Sequence, residues 1–84
     1  MTEIIIYSKA NCPYCENAKA YFNDKNLEYT EIRVDLDPEK LDEMLSLSNG
    51  FRTMPQIFIN KTHVGGYDDL MELHASGELQ KLLN

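Results

Sequence analysis

The sequence has few cations and no long apolar run. Eight Lys and Arg stand against fourteen Asp and Glu in 84 residues, so the formal net charge is -6 and the pI is near 4.7. A surface of this sign repels phosphate backbones and anionic membranes, so neither nucleic acid nor a membrane is an expected partner. The amino terminus has no positive segment, and the apolar run Ile4–Tyr7 is shorter than a signal-peptide core or a transmembrane span. We therefore expect a cytoplasmic protein, and a monomer.

Cysteine is also scarce, since Cys12 and Cys15 are the only two in the chain. In a reducing cytosol, cysteines at this spacing are more often catalytic or metal-binding than structural, and a disulfide across so short a loop removes little chain entropy. A structural zinc site needs four ligands, and the chain offers only His63 and His74 besides, on different predicted elements. We therefore predict no metal site and treat both histidines as structural. Beside a βαβ pattern, the cysteine pair indicates a thiol–disulfide redox site.

The segments around the cysteines predict that βαβ pattern. Consecutive isoleucines in Glu3–Tyr7 are typical of a buried central strand. A helix is predicted from about Pro13 to Asn26, because proline is best tolerated in the first turn, and a second strand is predicted over Leu27–Val34. The crossover helix implies that the two strands are parallel. The helix positions expected to face the sheet are Tyr14, Ala18, Tyr21 and Phe22.

A second helix and a hairpin are predicted next. Asp37 is the expected N-cap of the helix, with Pro38 at its first position and Asn49-Gly50 at its end. After a loop, Gln56–Asn60 reads as a strand, Lys61-Thr62 as a turn and His63-Val64 as a short return strand. The expected buried stripe of the helix is Leu41, Met44, Leu45 and Ser48.

The last predicted helix follows Gly65-Gly66 and ends at Gly77, with a further turn or two beyond it. Its expected inner face is Leu70, Leu73 and His74 or Ala75. The order β-α-β-α-β-β-α predicts an α/β fold in which helices flank a mixed sheet, in one domain spanning residues 1–84.

Cys12 is the expected nucleophile, because its place at the amino end of the first helix favours a thiolate. A helix end stabilises an anion by at most ~2 kcal/mol, which is about 1.5 pKa units at 1.36 kcal/mol each. Further stabilisation of the thiolate must come from direct N–H bonds to the sulfur and from a nearby cation, for which Lys9 is the local candidate. Cys15, one turn deeper, is the expected resolving thiol.

Three motifs together resemble the glutaredoxin family along nearly the whole chain, and in particular its small bacterial glutaredoxin 3 type. They are Cys12-Pro13-Tyr14-Cys15, Thr53-Met54-Pro55-Gln56-Ile57-Phe58-Ile59 and Gly65-Gly66-Tyr67-Asp68-Asp69-Leu70, in the order and at the spacing of that family.

The resemblance implies a thioredoxin-like fold with a four-stranded mixed sheet and a groove for glutathione as co-substrate. It also implies a cis Met54–Pro55 bond, which would let the Met54 backbone pair with glutathione like an added strand. Asp69 would meet the glutathione ammonium, and Lys9 and Arg52 its glycine carboxylate. The implied protein partners are glutathionylated or disulfide-containing proteins. The glutathione-binding residues so implied are Lys9, Tyr14, Arg52, Thr53, Met54, Pro55, Gly66, Tyr67, Asp68 and Asp69.

Two alternatives remain open from the sequence. An electron donor reduced by thioredoxin reductase should lack a charged glutathione groove, and Lys9 and Asp69 argue against it. A dimeric carrier would bridge a [2Fe–2S] cluster through Cys12 and glutathione, whereas Pro13 and the second thiol favour the dithiol enzyme.

Overall fold

The fold, given by a computed structural model that describes residues 2–83, alternates strands and helices. In chain order the elements are β1 (Ile4–Ser8), α1 (Pro13–Asp24), β2 (Thr30–Arg33), α2 (Pro38–Leu47), β3 (Gln56–Ile59), β4 (Thr62–Gly65), α3 (Tyr67–Ser76) and α4 (Glu78–Leu83). The predicted α/β fold with a mixed sheet is confirmed. The segment after Gly77, predicted as a turn or two, is a separate helix α4.

The four strands form one sheet in the order β2-β1-β3-β4. β1 and β2 are parallel, as the crossover helix α1 requires, whereas β3 runs antiparallel to both β1 and β4. In this register Tyr7 lies opposite Gln56, and Ile57 opposite Gly65. The end of β1, the start of β3 and the end of β4 therefore meet at one end of the sheet.

Each face of the sheet carries its own hydrophobic cluster, because successive side chains of a strand point to opposite faces. On one face, β1 and β3 pack with α1, α3 and α4 through Ile4, Ile6, Ala18, Phe22, Ile57, Ile59, Leu70 and Leu79. On the other face, α2 packs on the sheet through Tyr7, Val34, Met44 and Phe58. The inner strands are thus covered on both sides, as the apolar run in β1 predicted.

The helix ends follow local chemistry. The Asp37 carboxylate accepts the Glu39 N–H at 3.1 Å, which confirms it as the N-cap of α2. Gly77 ends α3 in the left-handed conformation at φ 83°, also as predicted. Helix α1 and strand β2 are both shorter than predicted, since α1 ends at Asp24 and β2 spans only Thr30–Arg33. Asn26, with a φ of 57°, ends the helical path between them.

Three local predictions were wrong. Tyr14 is 57% exposed, and Cys15 takes its place in the buried stripe of α1. The hairpin turns at Asn60-Lys61, where both residues have positive φ, so Thr62 already belongs to β4. His74 and Ala75 are exposed on α3. No helix among residues 2–83 is long and apolar enough to cross a membrane.

Gly65 lies where β4 passes into α3 and has a φ of +111°. A Cβ there would lie 2.9 Å from Asp69 Cγ, inside the cap of α3. We expect Gly65→Ala to lower the free energy of unfolding by about 2 to 4 kcal/mol, because it forces positive φ on alanine and displaces the capping carboxylate. Gly50→Ala is the control, since its φ is +87° with no atom within 4 Å of the added Cβ. It should cost only about 1 to 2 kcal/mol in urea unfolding; equal losses would contradict the clash.

Candidate active site

Cys12 and Cys15 form a disulfide at the amino end of α1, with their Cα atoms 5.2 Å apart. Cys12 is the N-cap, and its sulfur accepts the backbone N–H of Cys15 at 3.2 Å. Of the two residues Cys12 is the more exposed, at 8% against 1% for Cys15. The helix end therefore aims a hydrogen-bond donor at the sulfur of the more accessible of the two cysteines, which favours a thiolate in the reduced form.

Hydrogen bonds from β2 and α1 hold the end of β1 just before the thiol loop. Fully buried Ser8 donates its Oγ hydrogen to Glu31 Oε2 at 2.7 Å, and Lys19 Nζ donates to the same oxygen at 2.9 Å. The hydrogen bond from Ser8 is the main cause that lowers the pKa of Glu31, and the bond from Lys19 adds to it. The same bond to Glu31 raises the pKa of Lys19. Strand β1, strand β2 and helix α1 are thereby joined at one carboxylate.

A second carboxylate holds the loop itself. The Ala10 N–H donates to Asp35 Oδ2 at 3.2 Å, and Arg33 binds Asp35 in two-pronged fashion, Nε to Oδ1 at 2.8 Å and Nη2 to Oδ2 at 2.6 Å. The hydrogen bonds from Arg33, helped by that from Ala10, lower the pKa of Asp35 to about 2. The loop before Cys12 is thus anchored by an acid that stays ionised at neutral pH.

The second loop approaches the same end of the sheet from β3. The Met54–Pro55 peptide bond is cis, which confirms what the resemblance implied. In the described part of the chain, neither the N–H nor the C=O of Met54 has a hydrogen-bond partner. The Met54 backbone can therefore bind an extended ligand, as an open strand edge does.

The third loop is the start of α3. Gly66 is the N-cap, and its N–H donates to Asp69 Oδ2 at 3.0 Å. Asp68 is exposed and makes no hydrogen bond or ion pair within residues 2–83. Gly66 lies close to the proline loop, since a Cβ there would be 3.6 Å from the Pro55 carbonyl oxygen. The amino end of α3 therefore offers both N–H groups and carboxylates to a ligand.

The three loops enclose a groove of about 600 Å³. Tyr14 and Tyr67 stand on the same side, with ring centroids 6.1 Å apart and planes at 25°. The residues that line the groove are Tyr14, Phe51, Thr53, Met54, Pro55, Gln56, His63, Val64, Gly65, Gly66, Tyr67, Asp68 and Asp69.

Eight of the ten predicted glutathione-binding residues are in that lining, and two are not. Lys9 and Arg52 are exposed outside it, and neither forms an ion pair with another described residue. Their charges are thus available to a ligand that extends beyond the groove.

A family model described as glutaredoxin matches residues 4–64, which is more than half of the chain. The chain belongs to the glutaredoxin family. Glutaredoxin 1 of Rickettsia prowazekii (strain Madrid E) is 51% identical over 81 residues, which cover 95% of this chain and 85% of that protein. Glutaredoxin 3 of Escherichia coli (strain K12) is 45% identical over 83 residues, or 99% of each chain. The resemblance carried by the three motifs is confirmed.

Solved glutaredoxins share the fold. A buckwheat glutaredoxin–glutathione complex superposes with a TM-score of 0.85 at 32% identity, covering 98% of this chain and 76% of that one. The glutaredoxin of Brucella melitensis gives 0.83 at 46% identity, covering 99% and 89%. As a glutaredoxin with both cysteines of the Cys-x-x-Cys motif, the protein is a thiol–disulfide oxidoreductase.

The motifs did not predict every residue of the groove. Gln56 could have been noticed from the sequence, because it is a polar residue at the start of an apolar strand and lies on the same face as Phe58, two residues later. Phe51 carried less signal, as a lone aromatic residue in a loop, yet it is 59% exposed at the groove.

Among the residues that the structure describes, no group of three or more His, Cys, Asp or Glu side chains is placed to hold a metal ion.

The Asp35 anchor predicts a pH dependence of stability. Because the pKa of Asp35 falls from 3.8 to about 2 on folding, its contribution is complete above pH 3.8 and is lost as the pH falls through about 2. Asp35→Asn should therefore lower the melting temperature at pH 6 by more than at pH 2. Asp42→Asn is the control, because Asp42 is exposed and has no partner within residues 2–83. A deficit of Asp35→Asn that is the same at both pH values would contradict the anchor.

Proposed function

We propose that the protein is a glutathione-dependent oxidoreductase that reduces glutathione mixed disulfides and protein disulfides. The observation that carries this proposal is the convergence of three loops: Tyr14 of the thiol loop, Met54 of the proline loop and Tyr67 at the start of α3 line one groove. The solved glutathione complex of a buckwheat relative supports glutathione as the co-substrate. Disulfide-containing and glutathionylated proteins are the corresponding partners.

Glutathione would lie along the groove in an extended form. The free N–H and C=O of Met54 would pair with its cysteinyl backbone, which directs its sulfur to Cys12. The carboxylate of its γ-glutamyl residue would take the N–H groups at the amino end of α3, and Asp69 would face its ammonium. Only one oxygen of Asp69 is used by the Gly66 cap, so capping and ligand binding are compatible.

The other end of the tripeptide would meet cations. Lys9 and Arg52 are exposed, without ion-pair partners in the described part of the chain, and suit the glycine carboxylate. Tyr14 would flank the glutathione sulfur, and its contact with Tyr67 gives the groove an aromatic side. The charge order, acids at α3 and bases beyond the groove, matches a tripeptide with an ammonium at one end and a lone carboxylate at the other.

The reaction is two thiol–disulfide exchanges. The Cys12 thiolate attacks the glutathione sulfur of a mixed disulfide, which forms a Cys12–glutathione disulfide and releases the other thiol after it takes a proton. A second glutathione thiolate attacks the glutathione sulfur of that intermediate, which forms oxidised glutathione and returns the Cys12 thiolate. The helix end and the Cys15 N–H favour the thiolate of Cys12, which aids both steps, since the thiolate is the attacking group in the first and the leaving group in the second.

Protein disulfides would need both thiols. Cys12 would form a mixed disulfide with the substrate protein, and Cys15 would then attack the Cys12 sulfur and release the reduced substrate. The product is the Cys12–Cys15 disulfide, which is the bonded state of the structure. Glutathione would reduce it in turn.

The test is a coupled assay with glutathione, glutathione reductase and a small glutathione mixed disulfide. The wild-type protein should turn over in this assay, and Cys12→Ser should not. Cys15→Ser should keep mixed-disulfide reduction and lose most reduction of a protein disulfide, because only the second reaction needs the resolving thiol. Turnover with thioredoxin reductase but not with glutathione would contradict the proposal, and loss of both reactions in Cys15→Ser would contradict the role of Cys15.

Charge changes at the two ends of the groove should weaken glutathione use. Lys9→Gln and Asp69→Asn should each raise the KM for glutathione about 10- to 100-fold at low salt, since a hydrogen bond to a charged group contributes about 1.5 to 3 kcal/mol. Asparagine retains an oxygen that can cap Gly66, so α3 should stay intact. Lys61→Gln, an exposed lysine in the β3–β4 turn, is the control. An unchanged KM in both test variants would remove the charged ends from the binding model.

A further inference from the structure

We propose that His63 is a positioning residue for glutathione, acting through Gln56 on the loop that precedes Met54. This inference rests on the proposed function and extends it to two residues that no motif assigns to binding. His63 lies on the edge strand β4, and Gln56 is the first residue of β3. Together they connect the edge of the sheet to the proline loop.

Gln56 is the centre of the connection. Its side chain is buried, with the residue only 2% exposed. Its Nε2 donates to the Thr53 carbonyl oxygen at 2.9 Å and to Thr53 Oγ1 at 3.2 Å, and its Oε1 lies 2.6 Å from His63 Nε2. Every polar atom of the amide therefore has a partner, as a buried amide requires.

The direction of these bonds follows from the chemistry of the groups. The Thr53 carbonyl can only accept, so the NH₂ of Gln56 must face it and Oε1 must face His63. An amide oxygen can only accept, so His63 must donate from Nε2. Both the imidazolium and the neutral tautomer with a hydrogen on Nε2 meet that need, whereas the tautomer protonated on Nδ1 alone does not. The Thr53 carbonyl therefore fixes the orientation of the Gln56 amide, and a hydrogen bond donated by His63 stabilises that same orientation.

Packing holds the His63 ring in the position from which it donates. His63 is paired with Phe58 in the β3–β4 register, and its ring stacks on that of Phe58 with centroids 4.9 Å apart and planes at 27°. The Phe51 ring lies 6.1 Å away on centroids. Aromatic neighbours of this kind restrict the imidazole without competing for its hydrogen bonds.

The consequence falls on the ligand side of the loop. Thr53 is exposed and directly precedes Met54, whose backbone groups are free to bind glutathione. With the Thr53 carbonyl held by Gln56, the peptide leading into Met54 has fewer orientations open to it before the ligand arrives. Affinity gained this way comes from preorganisation of the loop.

The test compares His63→Leu with His63→Gln. Leucine keeps apolar bulk against Phe58 and removes the donor, whereas the glutamine amide can donate from near the position of Nε2. His63→Leu should raise the KM for glutathione about 3- to 10-fold, the loss expected for one hydrogen bond, and lower the ratio of glutathione-driven to dithiothreitol-driven turnover equally. Dithiothreitol makes no use of the loop, so a general loss of folding would leave that ratio unchanged. His63→Gln should recover most of the effect.

Gln56→Met gives a second route if His63→Leu does not fold. It removes the central amide and should produce the same loss, and the double variant should be no worse than either single one, because the residues act in series. His74→Leu is the matched histidine control, being exposed on α3 and outside the groove lining. A wild-type ratio in both His63→Leu and Gln56→Met, or no recovery in His63→Gln, would overturn the inference. A wild-type protein that shows no preference for glutathione would instead overturn the proposed function.

Discussion

The antiparallel register of β1 and β3 is the constraint on which the site depends. With Tyr7 opposite Gln56, the loop leaving β1 and the loop entering β3 lie side by side at one end of the sheet. Pairing of β4 with β3 then brings Gly65 and the start of α3 to the same end. A shift of one strand by one residue would turn all of its side chains to the opposite face and would displace the loops relative to one another. Core and site therefore rely on the same set of backbone hydrogen bonds.

That geometry also brings two helix amino ends to one groove. Cys12 is the N-cap of α1 and Gly66 the N-cap of α3, and aligned peptide dipoles place partial positive charge at each of these helix ends. The molecule as a whole carries a net charge of -6. A thiolate and the carboxylates of a small ligand thus find local attraction on a surface that repels anions at longer range. A long polyanion would meet mainly the repulsive net charge, whereas a small anion would fit within the short range of the helix ends.

The sequence predicted the parts of the fold that have a local chemical cause. Asp37 before Pro38 is a strong helix start, and Gly77 is a strong stop, because capping and left-handed φ depend on the residues themselves. Helical periodicity placed Tyr14 in the buried stripe, because it cannot tell a tyrosine that packs inside from one that the helix start turns outward. The resemblance placed the same residue, exposed, at the ligand groove, and it is exposed in that lining. The hairpin turn was predicted one residue too late. Its two residues with positive φ are Asn60 and Lys61, and no glycine marks the position in the sequence.

For the candidate site, the sequence predicted the three loops, whereas their support depended on tertiary contacts. Asp35 and Glu31 hydrogen-bond to Ala10 and Ser8, which lie 25 and 23 positions away in the chain, and His63 bonds to Gln56 across the β3–β4 hairpin. No local pattern distinguishes such a carboxylate or imidazole from a solvated one. The motifs therefore predicted most of the residues that line the groove but not the residues whose hydrogen bonds support the loops.

At the end of the sheet opposite the groove, Asn60 joins the residue before the first strand to the last helix. Its side chain accepts the Glu3 N–H at 2.8 Å and donates to the Leu82 carbonyl at 2.9 Å, while Thr2 Oγ donates to the Leu83 carbonyl at 2.7 Å. The first and last described residues, Thr2 and Leu83, therefore lie next to each other. β1 separates this seam from the thiol loop by five residues, or roughly 17 Å. A partner or surface that contacted the molecule beside Thr2 or Leu83 would thus lie at the end of the sheet opposite the groove and leave the groove open.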